Sequence, residues 1–338
     1  MNWGSQTSGD RDPNGIVIFG GTASEALTEK ICGYLEMKRG RASVSRFPDS
    51  ETLVKLEDDV RGKDCFVVQS TCPPVNDNLM ELLIFIDCLR RASAKRITAV
   101  IPYYGYARQD RKSEGRTPIT AKLVANMLAK AGLNRVVTMN LHADQIQGFF
   151  DIPVDHLTAA PVLAQHFLSR RLKDAVLVSP DVGNIKFGSD FASRIGGELA
   201  VIHKRRLSGD STTAVTIIGN VKGKTVMMFD DMITTAGTVS EAAKLVRQHG
   251  AAAIYVAATH AVFAGQALDR LASAQLNEIV VTDTIPAGTE ATKRLPNLTV
   301  LSVASLVGEA IRRIHEHRSV SALFCYGMYG DSEQPWKQ

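Results

Sequence analysis

Short apolar runs alternate with stretches of helical spacing along nearly the whole chain. The runs at residues 16–19, 65–69, 97–101 and 136–139 are brief, rich in β-branched side chains and bounded by turn residues, so they predict buried strands. Between them, residues 25–37, 79–91 and 119–130 place apolar side chains every three to four positions and predict helices. The second half repeats the alternation. Strands are expected at 175–178, 199–202, 225–229, 254–258 and 278–281, and helices at 162–168, 239–248 and 304–315. Strands alternating with helices predict parallel sheets covered on both faces. The expected fold class is therefore α/β, with two doubly wound, mostly parallel-sheet domains. The boundary is placed near Asp155, giving domains of residues 15–155 and 156–303. No low-complexity linker separates the halves, so they are expected to pack tightly. In such sheets ligands bind beyond the carboxyl ends of the strands.

Composition narrows the partners. At 338 residues the chain is too long for one ordinary core and suits two. A net charge of +4 without a basic tail argues against broad nucleic-acid binding, which needs many clustered phosphate contacts. A small anionic substrate needs only a few local cations. No run of about 18 apolar residues occurs, so no membrane span is expected. Residues 1–14 are polar, lack the apolar core of a secretion signal and read as a disordered leader; residues 325–338 read as a tail. Five cysteines, an odd number without a CxxC pair, read as reduced thiols of a cytoplasmic protein rather than disulfides or zinc ligands.

The sharpest local signal is TVMMFDDMITTAGT at residues 225–238. An apolar strand ends in Asp230 and Asp231, and a short loop of Thr, Ala and Gly enters a helix. Free N–H groups at a helix N-terminus bind phosphate, the threonine hydroxyls add donors, and Gly237 admits close approach. The two carboxylates suit ribose hydroxyls or a hydrated Mg2+. The run resembles the ribose-phosphate loop of the phosphoribosyltransferase fold, which identifies a ligand rather than a reaction.

Two longer segments, VIPYYGYARQDRK (100–112) and NLHADQIQGFFDIPVD (140–155), each start at the end of a predicted strand. Arginine forks suit phosphate oxygens, and a glutamine amide suits a base edge or a sugar, which makes Arg108, Gln109 and Arg111 candidates for a nucleotide. Both segments resemble signatures of the ribose-phosphate pyrophosphokinases (PRPP synthases), and the resemblance spans roughly residues 16–324. It implies two phosphoribosyltransferase-like domains, with residues 304–324 returning to the first, assembled as dimers and usually as hexamers. It implies transfer of the β,γ-diphosphate of ATP to the C1 hydroxyl of ribose 5-phosphate, with Mg2+ as cofactor. By resemblance, Arg108, Gln109, Arg111 and His142 belong to the ATP site, and Phe47, Asp49 and Glu51 hold adenine across a subunit boundary. Taken alone, Phe47 would read as core and His142 as a structural histidine; the motif reverses both. Asp230, Asp231, Thr234, Thr235, Ala236, Gly237 and Thr238 would hold ribose 5-phosphate. In VSPDVGN (178–184), Asp181, Gly183 and Asn184 match the diphosphate loop, and Asp181 joins His142 near the metal. HKRRLSGD (203–210) matches a mobile catalytic loop whose Lys204 and Arg206, with His142, would act on the transferring phosphates.

Four positions depart from the family pattern. Asn140 stands where Asp is usual, Asn184 where the second glycine of the diphosphate loop is usual, Phe187 (beside Lys186) where Arg is usual, and Thr234 where a third Asp is common. Asn tolerates positive φ, so the loop at Asn184 is compatible with its turn. Arg61, Arg116, Gln147, Ser319 and Ser321 match a regulatory phosphate site, where Asp59 replaces a common Ser and is expected to weaken phosphate activation by repulsion. The departures also open an alternative, a catalytically weak or silent regulatory paralogue. A phosphoribosyltransferase that consumes PRPP would share only the 230–238 loop.

Overall fold

The computed structural model describes residues 15–179, 198–206 and 213–323. The expected leader and tail lie outside them. In chain order, the first half forms β1 (Ile16–Gly20), α1 (Glu25–Tyr34), β2 (Ala42–Arg46), β3 (Thr52–Leu56), β4 (Asp64–Val68), α2 (Val75–Arg91), β5 (Arg96–Ile101), α3 (Thr120–Ala131), β6 (Arg135–Met139) and β7 (Val154–Leu157). Five of these strands make a parallel sheet in the order β1-β4-β5-β6-β7. Side chains alternate across it. Cys65 and Val67 of β4 face a core that holds Leu82, Phe85 and Leu89 of α2 and Ala125 and Leu128 of α3. Phe66 and Val68 face the opposite core. Burial on both faces explains the unbroken apolar run of this strand.

The strand order advances in one direction, and right-handed crossovers therefore put α2 and α3 on one face. The other face is closed by α1 together with the last helix of the chain. β2 and β3 pair as an antiparallel hairpin outside the sheet and pack on α2 through buried Val54. This hairpin was not predicted, because half of its strand residues are polar and only Val54 is buried. The proposed boundary at Asp155 falls within β7, which hydrogen-bonds to β6 and so extends the first sheet to Leu157.

The second half forms α4 (Ala160–Arg170), β8 (Ala175–Ser179), β9 (Glu198–Arg206), β10 (Thr213–Ile218), β11 (Thr225–Ile233), α5 (Gly237–Gln248), β12 (Ala253–Ala261), α6 (Ala267–Ser273), β13 (Glu278–Thr282), α7 (Gly288–Arg294), β14 (Leu298–Leu301) and α8 (Ala304–His315). The sheet order is β10-β9-β8-β11-β12-β13-β14, parallel except for the β9/β10 hairpin. The α4 side chains Leu163, Ala164 and Phe167 cover one face, against Leu177, Met227 and Phe229. Val239, Ala243 and Val246 of α5 cover the other. From β8 the chain moves outward to β9 and then returns to β11 on the opposite side. The β8/β11 crevice is thus the point where strand order reverses, the place where such sheets bind ligands.

Helix α8 buries Leu306, Val307, Ala310 and Ile311 with Ile18, Phe66 and Val68 of the first sheet and Leu27 and Ile31 of α1. The contact is close. A Cβ on Gly308 would lie 2.6 Å from Cδ1 of Tyr34. Between the halves, a small apolar cluster joins Cys72 and Tyr103 to Met232 and Ile285.

Candidate active site

Strand β11 is longer than its apolar pattern. It pairs with β8 only as far as Met228, but with β12 as far as Ile233. Asp230 and Asp231, expected to end the strand, lie within this extension, which runs on to Ile233. The ladder with β12 continues past both carboxylates, beyond the point where β8 pairing stops. The Asp230 carboxylate accepts the Asp231 N–H at 2.9 Å. After Thr234 and Thr235, Ala236 takes a left-handed turn (φ 58°) and α5 begins at Gly237. The N-cap residue makes no side-chain capping hydrogen bond, which leaves first-turn N–H groups for a ligand. Thr234 O accepts the Ala264 N–H at 2.8 Å, and Arg270 of α6 donates to Thr235 O at 3.0 Å. Both bonds brace the loop from its far side.

His142 reaches this place from the first domain. It follows β6 and its Nδ1 lies 2.6 Å from Oδ2 of Asp231. The hydrogen bond to Asp231 raises the His142 pKa, against the opposing effect of burial, and the Asp231 charge adds to the rise. Burial pushes the Asp231 carboxyl up, but bonds with His142 and Asp230 and the nearby imidazoles together hold it below its ordinary value. The charges of Arg108 and Asp110 also act on His142, and those of Arg108 and Asp231 act on the phenol of Tyr103. The segments 100–112, 140–155 and 225–238, remote in sequence, therefore meet at one point.

Known proteins match about nine-tenths of the chain. Residues 16–132 match the family model of the N-terminal domain of ribose phosphate pyrophosphokinase, and residues 205–325 that of the phosphoribosyl synthetase-associated domain. The chain is 57% identical over 312 residues to the ribose-phosphate pyrophosphokinase of Rhodopirellula baltica, covering 91% of this chain and 98% of that one. It is 50% identical over 310 residues to that of Chromobacterium violaceum, covering 91% and 94%. The crystal structure of phosphoribosylpyrophosphate synthetase from Mycobacterium smegmatis superposes with a TM-score of 0.84 at 43% identity, covering 89% and 99%. The chain belongs to the ribose-phosphate pyrophosphokinase family.

As a ribose-phosphate pyrophosphokinase, the chain places its other predicted residues unevenly. Asn140 is a domain tie. Its Oδ1 accepts the Ala159 N–H at 2.8 Å and the Thr259 hydroxyl at 3.1 Å, and its Nδ2 reaches Thr158 Oγ1 at 3.4 Å. Both acceptor contacts fall on one oxygen, which an aspartate would also supply, so this departure preserves the connection. Gln109 Oε1 accepts the Thr120 hydroxyl at the start of α3, which fixes the turn after Arg108. Phe47, Asp49 and Glu51 form the tip of the β2/β3 hairpin. Their contacts are local: Phe47 N to Glu51 O at 2.9 Å and Glu51 N to Asp49 Oδ1 at 3.2 Å.

The backbones of Lys204 and Arg206 lie in β9, paired with Val215 and Thr213 of β10, rather than in the loop expected from their charge. The β-branched run of β10 supplies the ladder partner that a polar loop would lack. Asp181, Gly183, Asn184, Lys186 and Phe187 lie outside the described residues. The regulatory positions make separate local contacts. Arg61 donates to Ser93 Oγ at 3.2 Å, Asp59 accepts the Arg61 N–H at 3.1 Å, Gln147 donates to Asp144 O at 3.0 Å, and Ser319 Oγ accepts the Ser321 N–H at 3.2 Å. Arg116 sits at a left-handed turn (φ 64°).

Four residues of the site carried no signal in the sequence. Thr259, His260 and Thr284 lie at the domain junction, and Arg270 lies on a helix too short for a periodic pattern.

Proposed function

We propose that this enzyme joins ATP and ribose 5-phosphate in the crevice between its two domains, giving PRPP and AMP. The observation that carries the reading is the contact of His142 with Asp231, which unites the nucleotide-type segments of one domain with the ribose-phosphate loop of the other. The first turn of α5 and the 234–238 loop would bind the 5-phosphate through backbone N–H groups. Asp230 and Asp231 would orient the ribose hydroxyls. Arg108, Arg111 and His142 would hold the ATP phosphates, with Gln109 bracing the turn. Phe47, Asp49 and Glu51, on a projecting turn with only local contacts, suit the adenine site of a neighbouring subunit, which supports a dimer-based homo-oligomer.

The C1 hydroxyl oxygen attacks the β-phosphorus in line. The bond from that phosphorus to the bridging oxygen breaks, AMP leaves with that oxygen, and the hydroxyl proton passes to solvent. The protein's part is positioning and charge neutralisation. Lys204 and Arg206 would meet the charge on the transferred group. The described donors fit Mg2+, since Asp230 and Asp231 offer the hard carboxylate oxygens that this ion takes, and Nε2 of His142 stays available once Nδ1 is engaged; Asp181 is the further acid proposed for it. Mg2+ bound to the phosphates would draw off their negative charge during transfer. No helix among the described residues is long and apolar enough to cross a membrane, and with reduced thiols a cytoplasmic location is proposed.

The test is to incubate the protein with Mg2+, ATP and ribose 5-phosphate and follow AMP and PRPP together. Equal amounts are expected. Bound ribose 5-phosphate without turnover would point instead to a silent regulatory subunit.

A further inference from the structure

The first domain ends its β6 strand with two carbonyls directed at one nitrogen of the second domain. His260 of β12 is 1% exposed, and its Nε2 lies 3.2 Å from Met139 O and 3.1 Å from Asn140 O. Carbonyls only accept, so Nε2 carries the proton and Nδ1 must accept. Thr284 Oγ1, at 2.9 Å, is the donor. The Thr284 hydroxyl also lies 3.1 Å from Thr259 O, but that carbonyl already accepts the Thr282 hydroxyl at 2.7 Å, whereas Nδ1 has the Thr284 hydroxyl as its partner at the shorter 2.9 Å. The Tyr103 ring stands T-shaped on the imidazole, centroids 5.0 Å apart. Asn140, whose carbonyl is the second acceptor, adopts a left-handed backbone (φ 39°), which Asn tolerates better than most residues.

These links close a circuit. His260 holds the Asn140 carbonyl, and two residues further on His142 meets Asp231. Asp231 precedes Met232, which is the ladder partner of His260 on β12. The same imidazole touches Tyr103, at the head of the turn that carries Arg108. One buried side chain of the second domain thus contacts both strand ends of the first that lead to proposed ATP-site cations.

We propose that His260 is a positioning residue for diphosphate transfer, holding the two domains in the register at which His142 and Asp231 face each other. Burial keeps its pKa down at about 4, so a single neutral tautomer persists near neutral pH. The proposal rests on the reaction stated above. Attacking and leaving groups are held by different domains, and a misplacement of about 1 Å between them can cost about a hundredfold.

The variants are His260→Leu, which removes all three hydrogen-bond contacts of the ring, and His260→Gln, whose amide can place a donor near the Nε2 position. Thr284→Val, which removes only the hydroxyl at Nδ1, serves if His260→Leu does not fold. Expected for His260→Leu is a fall in kcat of about ten- to hundredfold per folded enzyme. Ribose 5-phosphate binding, measured by calorimetry, should stay within about threefold, because its loop lies wholly in the second domain. His260→Gln should recover most of kcat, and Thr284→Val should fall between. Independently of turnover, backbone amide exchange at residues 139–142 should quicken in His260→Leu and Thr284→Val but not in His260→Gln. A folded His260→Leu, or Thr284→Val in its place, with wild-type kcat and unchanged exchange overturns the proposal. So does a loss that follows only the folded fraction. If the wild type makes no PRPP, the reaction is misread, and the exchange measurement alone decides the role of His260.

Discussion

Asp231→Asn keeps the size of the side chain and removes the charge that faces His142 across the domain crevice. A hydrogen bond to a charged group contributes about 1.5–3 kcal/mol. The His142 side chain is 41% exposed, so solvent screening places this one at the lower end. A loss of about 1.4 kcal/mol of transition-state stabilisation lowers kcat about tenfold. The pH dependence has a definite sign. The His142 pKa is raised, chiefly by the bond to Asp231, so the charged pair is lost as pH rises through that value. The Asp231 pKa is lowered, so the pair is lost at the acid end only as pH falls through it. In the variant, His142 should release its proton at lower pH than in the wild type. Initial rates of AMP and PRPP formation at saturating substrates, with a ring-proton NMR titration of His142, measure both effects. A kcat within twofold of wild type with an unmoved His142 titration would refute the reasoning.

Three further outcomes follow from individual contacts. Arg270→Met removes the brace on Thr235 O (3.0 Å) and should raise the KM for ribose 5-phosphate about tenfold with little change in kcat, as read by initial rates. Glu81 is buried and accepts both the Thr22 N–H (2.7 Å) and the Thr22 hydroxyl (2.6 Å), so Glu81→Ala should cost about 2–3 kcal/mol in urea unfolding. Glu81→Gln, which retains an acceptor, should cost less. Gly308→Val forces a methyl-bearing Cβ to 2.6 Å from the Tyr34 ring and should destabilise the α1/α8 contact by about 1–3 kcal/mol; an unchanged urea midpoint would show that Tyr34 swings aside.

Much of the fold was legible because its strands are buried on both faces. Runs such as residues 65–68 and 279–281 are continuous in apolar side chains, as strands buried on both faces of a parallel sheet are expected to be. Elements without such a pattern escaped. The β2/β3 hairpin buries one valine, and α6 and α7 span seven residues each, less than two full turns beyond their ends. The extension of β11 beyond Asp231 to Ile233 escaped for a different reason. The two carboxylates read as the end of the strand, and it is the ladder to β12 that keeps Met232 and Ile233 extended. The basic run at 203–206 was likewise assigned to a loop, although β10 holds its backbone in a strand.

From the sequence alone came what is local or patterned: the α/β alternation, the phosphate-type turn ahead of α5, and motifs long enough to resemble one enzyme family. Periodicity encodes which face of an element is buried, and a turn's residues encode its backbone, so neighbours in the chain carry that information. The tertiary structure decided which remote groups meet. His142 and Asp231 are 89 residues apart, and His260 lies 120 residues from the Asn140 carbonyl that it holds. No pattern within either segment specifies these pairs. Their contact depends on the register of two domains, set by packing and by buried hydrogen bonds that form only once both domains are in place.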